Sequence, residues 1–306
     1  MKKLFAFVCA LMVSFAANAQ VLYKISGNGL KNDSYILGSC HFVGGSFLDT
    51  IPGAKRVLNQ VQQICGEIDM RYVNNPDTAM AYSQLMMMPD DSVARKIMTE
   101  EQFNELCNVV KEQYDLDLSQ PQYAMLLKLY PTMMMITIPQ LAAMIKLQKS
   151  IAEGTTTVDQ QQVVMDLYVQ HEAQQASKPV VGLETYSFQI RLLTSLLDMP
   201  LQEQFLGVID AFKNIEKGKE QMKLLNDAYH SLNLDNITNY LNSIEGFDNI
   251  VNRIFDSRNE VWADKMPTIM SDKSTLFVVG VGHLPGDKGV LSLLQSQGYK
   301  ISPVKK

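Results

Sequence analysis

Histidine, tryptophan and cysteine are all scarce in this chain of 306 residues, with four, one and four copies. Cys9 falls inside an N-terminal apolar run, which leaves Cys40, Cys65 and Cys107. Three cysteines at irregular spacing make no disulfide framework. At most one pair can form, Cys40 with Cys65 if their strands are neighbours, and small buried thiols are the simpler expectation. An excess of positive charge is missing too. The 27 basic residues are outnumbered by 32 acidic ones, with no basic cluster, so the electrostatic footprint of a nucleic-acid partner is absent. Beyond the N-terminal run no apolar stretch reaches membrane-spanning length, because the methionine-rich tract over residues 133–146 is interrupted at Pro139-Gln140. What remains, 46% hydrophobic and 19% charged, is too apolar for a disordered chain, and its length allows one or two domains.

The N-terminus has the three parts of an export signal. Met1-Lys2-Lys3 is positive, residues 4–16 are apolar, and Ala17-Asn18-Ala19 is a small-residue cleavage site. The expected mature protein starts near Gln20, is periplasmic or secreted, and has no transmembrane segment once cleaved. Cys9 lies within the apolar part rather than at its end, which argues against a lipid anchor. Lys2 and Lys3 leave with the signal, so 27 basic residues become 25 against 32 acidic, a balance of −7.

The rest alternates between strand and helix patterns. Residues 21–25 and 34–37 predict two short strands around turns at Gly27-Asn28-Gly29 and Asn32-Asp33, followed by a helix over 52–62. Residues 61–70 predict a strand whose end alternates, with Glu67 and Asp69 on one face and Ile68 on the other. A helical stretch then runs from 75 to about 177. Thr99-Glu100-Glu101-Gln102 is a capping box opening a helix to about Tyr114, and a helix over 158–175 starts at Asp159 as its N-cap. Met86-Met87-Met88 and Met133-Met134-Met135 read as packing or a soft binding surface rather than as copper ligands. Pro179-Val180-Val181-Gly182 is a short strand presenting Glu184 at its end. Helices return over 188–244, broken at Asp198-Met199-Pro200 and near Gly218, and over 247–266, stopping before Pro267. A strand over 274–279, a helix over 289–297 and a strand over 299–304 close the chain. The expected fold is one α/β domain over 20–306: terminal βαβ units sharing one central sheet, with a helical insertion over about 75–270.

Two of the four histidines share a setting. Gly38-Ser39-Cys40-His41 ends one apolar run and Gly280-Val281-Gly282-His283 ends another, and each is followed three residues later by a glycine. Ligands of parallel sheets bind beyond the C-terminal strand ends, where both histidines are expected. Neutral imidazole is the commonest metal ligand, and a carboxylate is the natural third ligand or general base. Glu67 is the best-placed carboxylate, with Asp69 next because the two share a face. Two histidines and a carboxylate leave positions open for activating water against a carbonyl. The plain alternatives are two hydrogen-bonded turn histidines and a salt-bridged Glu67. His171 and His230 lie on polar helical patterns and are expected in solvent. Ser39 has no suitably placed acid–base partner, so a serine nucleophile is a poor reading.

Ile36-Leu37-Gly38-Ser39-Cys40-His41, Gly66-Glu67-Ile68-Asp69, Gly182-Leu183-Glu184-Thr185 and Val279-Gly280-Val281-Gly282-His283 resemble, in this order, the motifs of the TraB/PrgY/GumN family. The exported form is most similar to its GumN branch. The family is related to the Tiki metalloproteases, where paired Gly-x-x-His motifs and a glutamate are taken as the catalytic set. The resemblance implies a metal-dependent hydrolase, peptidase-like, acting on a peptide or protein with a divalent ion such as Mn, Co or Zn. It implies His41, His283 and Glu67 as metal ligands, Glu67 or Asp69 as the base, and Arg258 near the substrate or paired with Glu67, Asp159 or Glu184. Asp69, Asp159, Glu184 and Asn259 are then substrate-binding or supporting. Cys40 departs from the usual apolar residue, and Thr157 from the usual glycine before Val158-Asp159. The alternative is a non-catalytic cell-envelope protein that binds haem, a metal or a partner on the same fold.

Overall fold

A computed structural model describes residues 20–73, 75–155, 163–244 and 250–305. Residues 1–19, where an export signal is expected, and Asp159 lie outside the described residues. The chain opens with a hairpin of β1 (Leu22–Ser26) and β2 (Ser34–Ser39), turned through Gly27, Asn28 and Gly29 at φ 80°, 47° and 79°. Helix α1 (Ala54–Gln60) leads to β3 (Gln63–Gly66). Helices α2 (Pro76–Leu85), α3 (Ala94–Ile97), α4 (Glu100–Tyr114), α5 (Pro131–Ala152) and α6 (Met165–Gln175) follow before β4 (Val180–Gly182). Then come α7 (Tyr186–Thr194), α8 (Leu201–Lys213), α9 (Ile215–His230), α10 (Leu234–Asn242) and α11 (Ser257–Asp272). The chain closes with β5 (Thr275–Gly280), α12 (Val290–Ser296) and β6 (Lys300–Pro303).

The sheet order is β4-β3-β5-β2-β1-β6. β5 is parallel to both β2 and β3, β3 is parallel to β4, and β1 is antiparallel to β2 and β6. Only β1 therefore runs against the rest. The terminal β-α-β units do share one sheet, but β5 enters between β2 and β3, and β6 lies at the far edge beyond β1. β5 is central, and Leu276, Phe277, Val278 and Val279 are all at most 1% exposed, as a strand covered on both faces requires. Each such side chain contributes about 1.5–3 kcal/mol by burial. A second core lies in the helical insertion, built on Phe103, Leu106, Met134, Ile138, Phe205 and Phe212. Met88, Met133 and Met134 are buried there, whereas Met135 is exposed. The Thr99 capping box forms, with Gln102 bonding back to the cap N–H.

Several boundaries differ from the sequence pattern for identifiable reasons. β3 stops at Gly66, so Glu67 and Asp69 do not share a strand face. Gln170 of α6 accepts from Met70 N–H at 3.0 Å and donates to Ile68 C=O at 2.9 Å, satisfying a backbone that has turned out of the sheet. The break expected near Gly218 falls at Asn214, whose side chain donates to Asp210 C=O at 2.9 Å, and α9 runs through Gly218. α11 continues through Pro267 to Asp272. The carbonyl of Ala263, which loses its usual donor to the proline, accepts instead from Gln297 Nε2 at 3.2 Å. The three described cysteines are free thiols, and β5 separates β2, which leads to Cys40, from β3, which carries Cys65. No helix among the described residues is long and apolar enough to cross a membrane.

Candidate active site

The two Gly-x-x-His turns leave the same end of the sheet side by side, because β2 and β5 pair Gly38 with Val279 and Ser39 with Gly280. They pack directly on each other. A Cβ on Gly38 would stand 2.7 Å from Leu284 Cδ1 and 2.9 Å from Val281 Cγ2, so only glycine permits the approach. Beyond β3 and β4 the ladder continues, with Leu183 N–H bonding Gly66 C=O at 3.0 Å and Glu184 N–H bonding Glu67 C=O at 2.9 Å. Four neighbouring strand ends thus deliver His41, His283, Glu67 and Glu184 to one edge.

Arg258 of α11 reaches into this edge and is itself buried. Its Nη2 donates to Glu67 Oε2 at 2.6 Å and to Glu184 Oε1 at 2.5 Å, and its Nε donates to Glu184 Oε2 at 3.2 Å. Nη1 bonds Ile254 C=O at 2.9 Å and lies 3.1 Å from His283 Nε2. Ile254 belongs to a π-helical turn over Asn252–Asp256, a distortion frequent at functional sites. The carboxylates have further donors. Gly280 N–H reaches Glu67 Oε1 at 2.8 Å, Gln189 Nε2 bonds Glu67 at 3.0 Å and Glu184 at 2.9 Å, and Trp262 Nε1 bonds Glu184 at 3.2 Å. Burial pushes the Glu67 carboxyl upward, but the charge of His283 when it is protonated, the Arg258 guanidinium and the Gly280 N–H outweigh it, and the pKa lies below the ordinary carboxylate range.

The histidines sit in opposite surroundings. His283 is 2% exposed, with its ring 4.3 Å from that of Trp262 and 4.8 Å from that of Phe255. Asn259 donates its Nδ2 to Lys288 C=O at 2.9 Å, which aims its Oδ1 at His283 Nδ1, 2.6 Å away. Nδ1 then carries the proton and Nε2 accepts from Arg258 Nη1. Burial, aided by Arg258, holds His283 down to about 3, so it is neutral. His41 is exposed, and its Nδ1 lies 3.0 Å from Asp166 Oδ2 in the first turn of α6. The hydrogen bond to Asp166 pushes its pKa up to about 9.

Glu67, Glu184, Arg258, Asn259 and His283 thus form one connected cluster, with His41 beside it on Asp166. Asp69 does not join; its carboxylate is held bidentately by Arg71. Asp159 lies outside the described residues. Of the other histidines, His171 is exposed, and His230 is exposed with its ring tilted against Phe47, centroids 4.6 Å apart. Sequence reasoning missed Asp166, Gln189, Phe255 and Trp262. The one tryptophan carried a usable signal, lying four residues beyond Arg258 and so on the same helix face. Asp166 and Gln189 carried none, because nothing local marks a carboxylate in a first helical turn or an exposed-looking glutamine.

The cluster fits a divalent cation in kind, tautomer and charge. Both histidines have an oxygen beside Nδ1, Asn259 Oδ1 at 2.6 Å from His283 and Asp166 Oδ2 at 3.0 Å from His41, the placement that turns Nε2 towards a metal. The carboxylates of Glu67, Glu184 and Asp166 face the Arg258 guanidinium, a His41 that Asp166 keeps protonated and a neutral His283, so three carboxylates against two cations leave one negative charge to be matched. The donors do not yet converge. No group of three His, Cys, Asp or Glu side chains among the described residues is arranged to hold a metal. Arg258 Nη1 occupies the lone-pair side of His283 Nε2, where a cation shared with Glu67 would bind. A sequence profile of the TraB/PrgY/gumN family matches residues 21–303. No curated protein and no solved structure matches the chain.

Proposed function

Because the chain belongs to the TraB/PrgY/gumN family, we propose that the cluster at the sheet edge is the active site of an exported, divalent-metal-dependent hydrolase acting on peptide bonds. The observation that carries this reading is the pair of Gly-x-x-His histidines on adjacent parallel strands, each with Nδ1 tied to an oxygen, next to an ionised Glu67. His41, His283 and Glu67 would hold the ion, and Mn, Co and Zn are the candidates. When bound, such an ion polarises a carbonyl and activates water.

The chain's own groups have definable tasks. Glu67 is ionised at neutral pH and accepts the proton released by an attacking water. Arg258 would give up its bond to His283 when the imidazole is needed elsewhere, leaving Nη1 to face the substrate carbonyl or carboxylate while Nη2 and Nε stay on Glu67 and Glu184. Glu184 and Gln189 keep Arg258 and Glu67 in register, and Trp262 and Phe255 hold the His283 ring and exclude water behind it. Asn259 fixes the tautomer. The Ala17-Asn18-Ala19 site supports export, and N-terminal sequencing of the secreted chain is expected to start at Gln20.

The direct test is cleavage of a peptide panel by the purified protein with Mn²⁺, Co²⁺ or Zn²⁺. Cleavage that needs the ion and is abolished in His41→Ala and in His283→Ala supports the proposal. A Soret band on adding haem, with no cleavage under any ion, would replace it with the binding-protein reading.

A further inference from the structure

The turn after β2 is clamped to the start of α6 by several independent contacts. Gly45 N–H bonds Val163 C=O at 2.7 Å, and Gly44 bridges Val164 in antiparallel register. Gly45 lies so close under Tyr168 that a Cβ there would stand 2.3 Å from that side chain. The clamp brings the Asp166 carboxylate against the turn. Its Oδ1 accepts from Ser39 Oγ at 2.7 Å, and its Oδ2 lies 3.0 Å from His41 Nδ1. Ser39 ends β2 and His41 lies in the turn two residues on, and one carboxylate spans both. Oδ2 is buried and makes no hydrogen bond among the described residues, and His41 Nδ1 at 3.0 Å is the group it faces, while the imidazole itself is largely in solvent.

We infer that Asp166 is a positioning residue of the site: its carboxylate fixes the His41 ring with Nδ1–H inward and so presents Nε2 to the cleft. An exposed imidazole with no such partner would sample many rotamers and both tautomers. The arrangement matches the one Asn259 imposes on His283, with a charged oxygen in place of an amide. It also adds α6 to α7 and α11, the helices of the insertion that already reach the site. Ser39 is thereby a donor to Asp166 and not a nucleophile. The consequence for metal affinity rests on the metal reading above, whereas the orientation of the ring does not.

The test has two arms on the full mature chain. In long-range ¹H–¹⁵N spectra recorded with His41 neutral, the wild type is expected to show the Nδ1–H tautomer, and Asp166→Ala is expected to lose it while Ser39→Ala keeps it. A wild-type ring in the Nε2–H tautomer, or one whose tautomer survives Asp166→Ala, overturns the inference. If Asp166→Ala fails to fold, the wild-type tautomer still decides. In titrations with Mn²⁺ alone, Asp166→Asn is expected to weaken binding about 10–100-fold, the usual cost of losing a carboxylate behind a ligating histidine, with Ser39→Ala close to wild type. Equal affinity in wild type and Asp166→Asn counts against the inference. No Mn²⁺ binding by the wild type instead sinks the metal reading and leaves the tautomer arm to decide alone.

Discussion

Replacing Arg258 by methionine keeps the apolar length of the side chain and removes the guanidinium. Five hydrogen bonds go with it, to Glu67, Glu184 (two), Ile254 and His283. The side chains of Glu67 and Glu184 are only 13% and 6% exposed, so two carboxylates are left without their counter-ion. Removing one partner of such a buried pair costs about 3–5 kcal/mol, because an uncompensated charge stays behind. The cost depends on pH. Without Arg258 the Glu67 carboxyl loses the guanidinium that offsets its burial, and its folded pKa moves up past the unfolded value of about 4.3. The folded state then holds more protons than the unfolded one, and the penalty grows as pH rises from about 4.3 through the raised value. Urea unfolding at pH 8 and pH 5 is the assay. The Arg258→Met variant should lose the full amount at pH 8 and less at pH 5. Adding Glu184→Gln should recover part of it, with a coupling of about 0.5–3 kcal/mol. A loss under about 1 kcal/mol, or an equal loss at both pH values, would show that Arg258 does not hold this cluster together.

Gly38→Ala places a methyl against Val281 and Leu284 and should cost about 1–3 kcal/mol in a thermal or urea melt, with weaker metal binding because the two histidine turns are forced apart. An unchanged melting temperature would mean that the turns are not in contact. His283 remains neutral in the folded protein down to about pH 3 while its unfolded counterpart takes a proton near 6.5. Stability should therefore fall as pH drops from about 6.5 towards 3, by up to about 1.4 kcal/mol per pH unit, and His283→Gln should lack this component. His41 acts in a separate window: its pairing with Asp166 adds stability that is complete below about 6.5 and lost as pH rises through about 9, which a wild-type against His41→Gln comparison of urea midpoints reads directly.

Much of the fold was legible because hydrophobic period and capping chemistry are local. The Thr99 capping box, the apolar run before His283 and the short Val180–Gly182 strand all appear where the sequence places them. Order within the sheet was not legible, since no local signal says that β5 will enter between β2 and β3. The misplaced ends share a cause. At Gly66 and Pro267 a side chain distant in sequence, Gln170 or Gln297, satisfies backbone groups that local rules would leave unpaired. The site divides in the same way. Residues at strand ends, His41, His283, Glu67 and Glu184, could be read from motif and period. Asp166 and Gln189 could not, because they reach the cluster from helices whose packing only the tertiary structure fixes. Asp69 shows the converse error: two residues that alternate as a strand would share a face, but the chain leaves the sheet between them.

The claim at the centre of this account is that His41 and His283 serve one cation together with Glu67. The most direct measurement is an anomalous difference map from a crystal of the mature protein soaked in Mn²⁺. The account predicts a single peak about 2.0–2.3 Å from both Nε2 atoms and a Glu67 oxygen, with the Arg258 Nη1 bond to His283 broken. A map with no ion at this edge, Arg258 still on His283 Nε2 and saturating Mn²⁺ in the soak would contradict it.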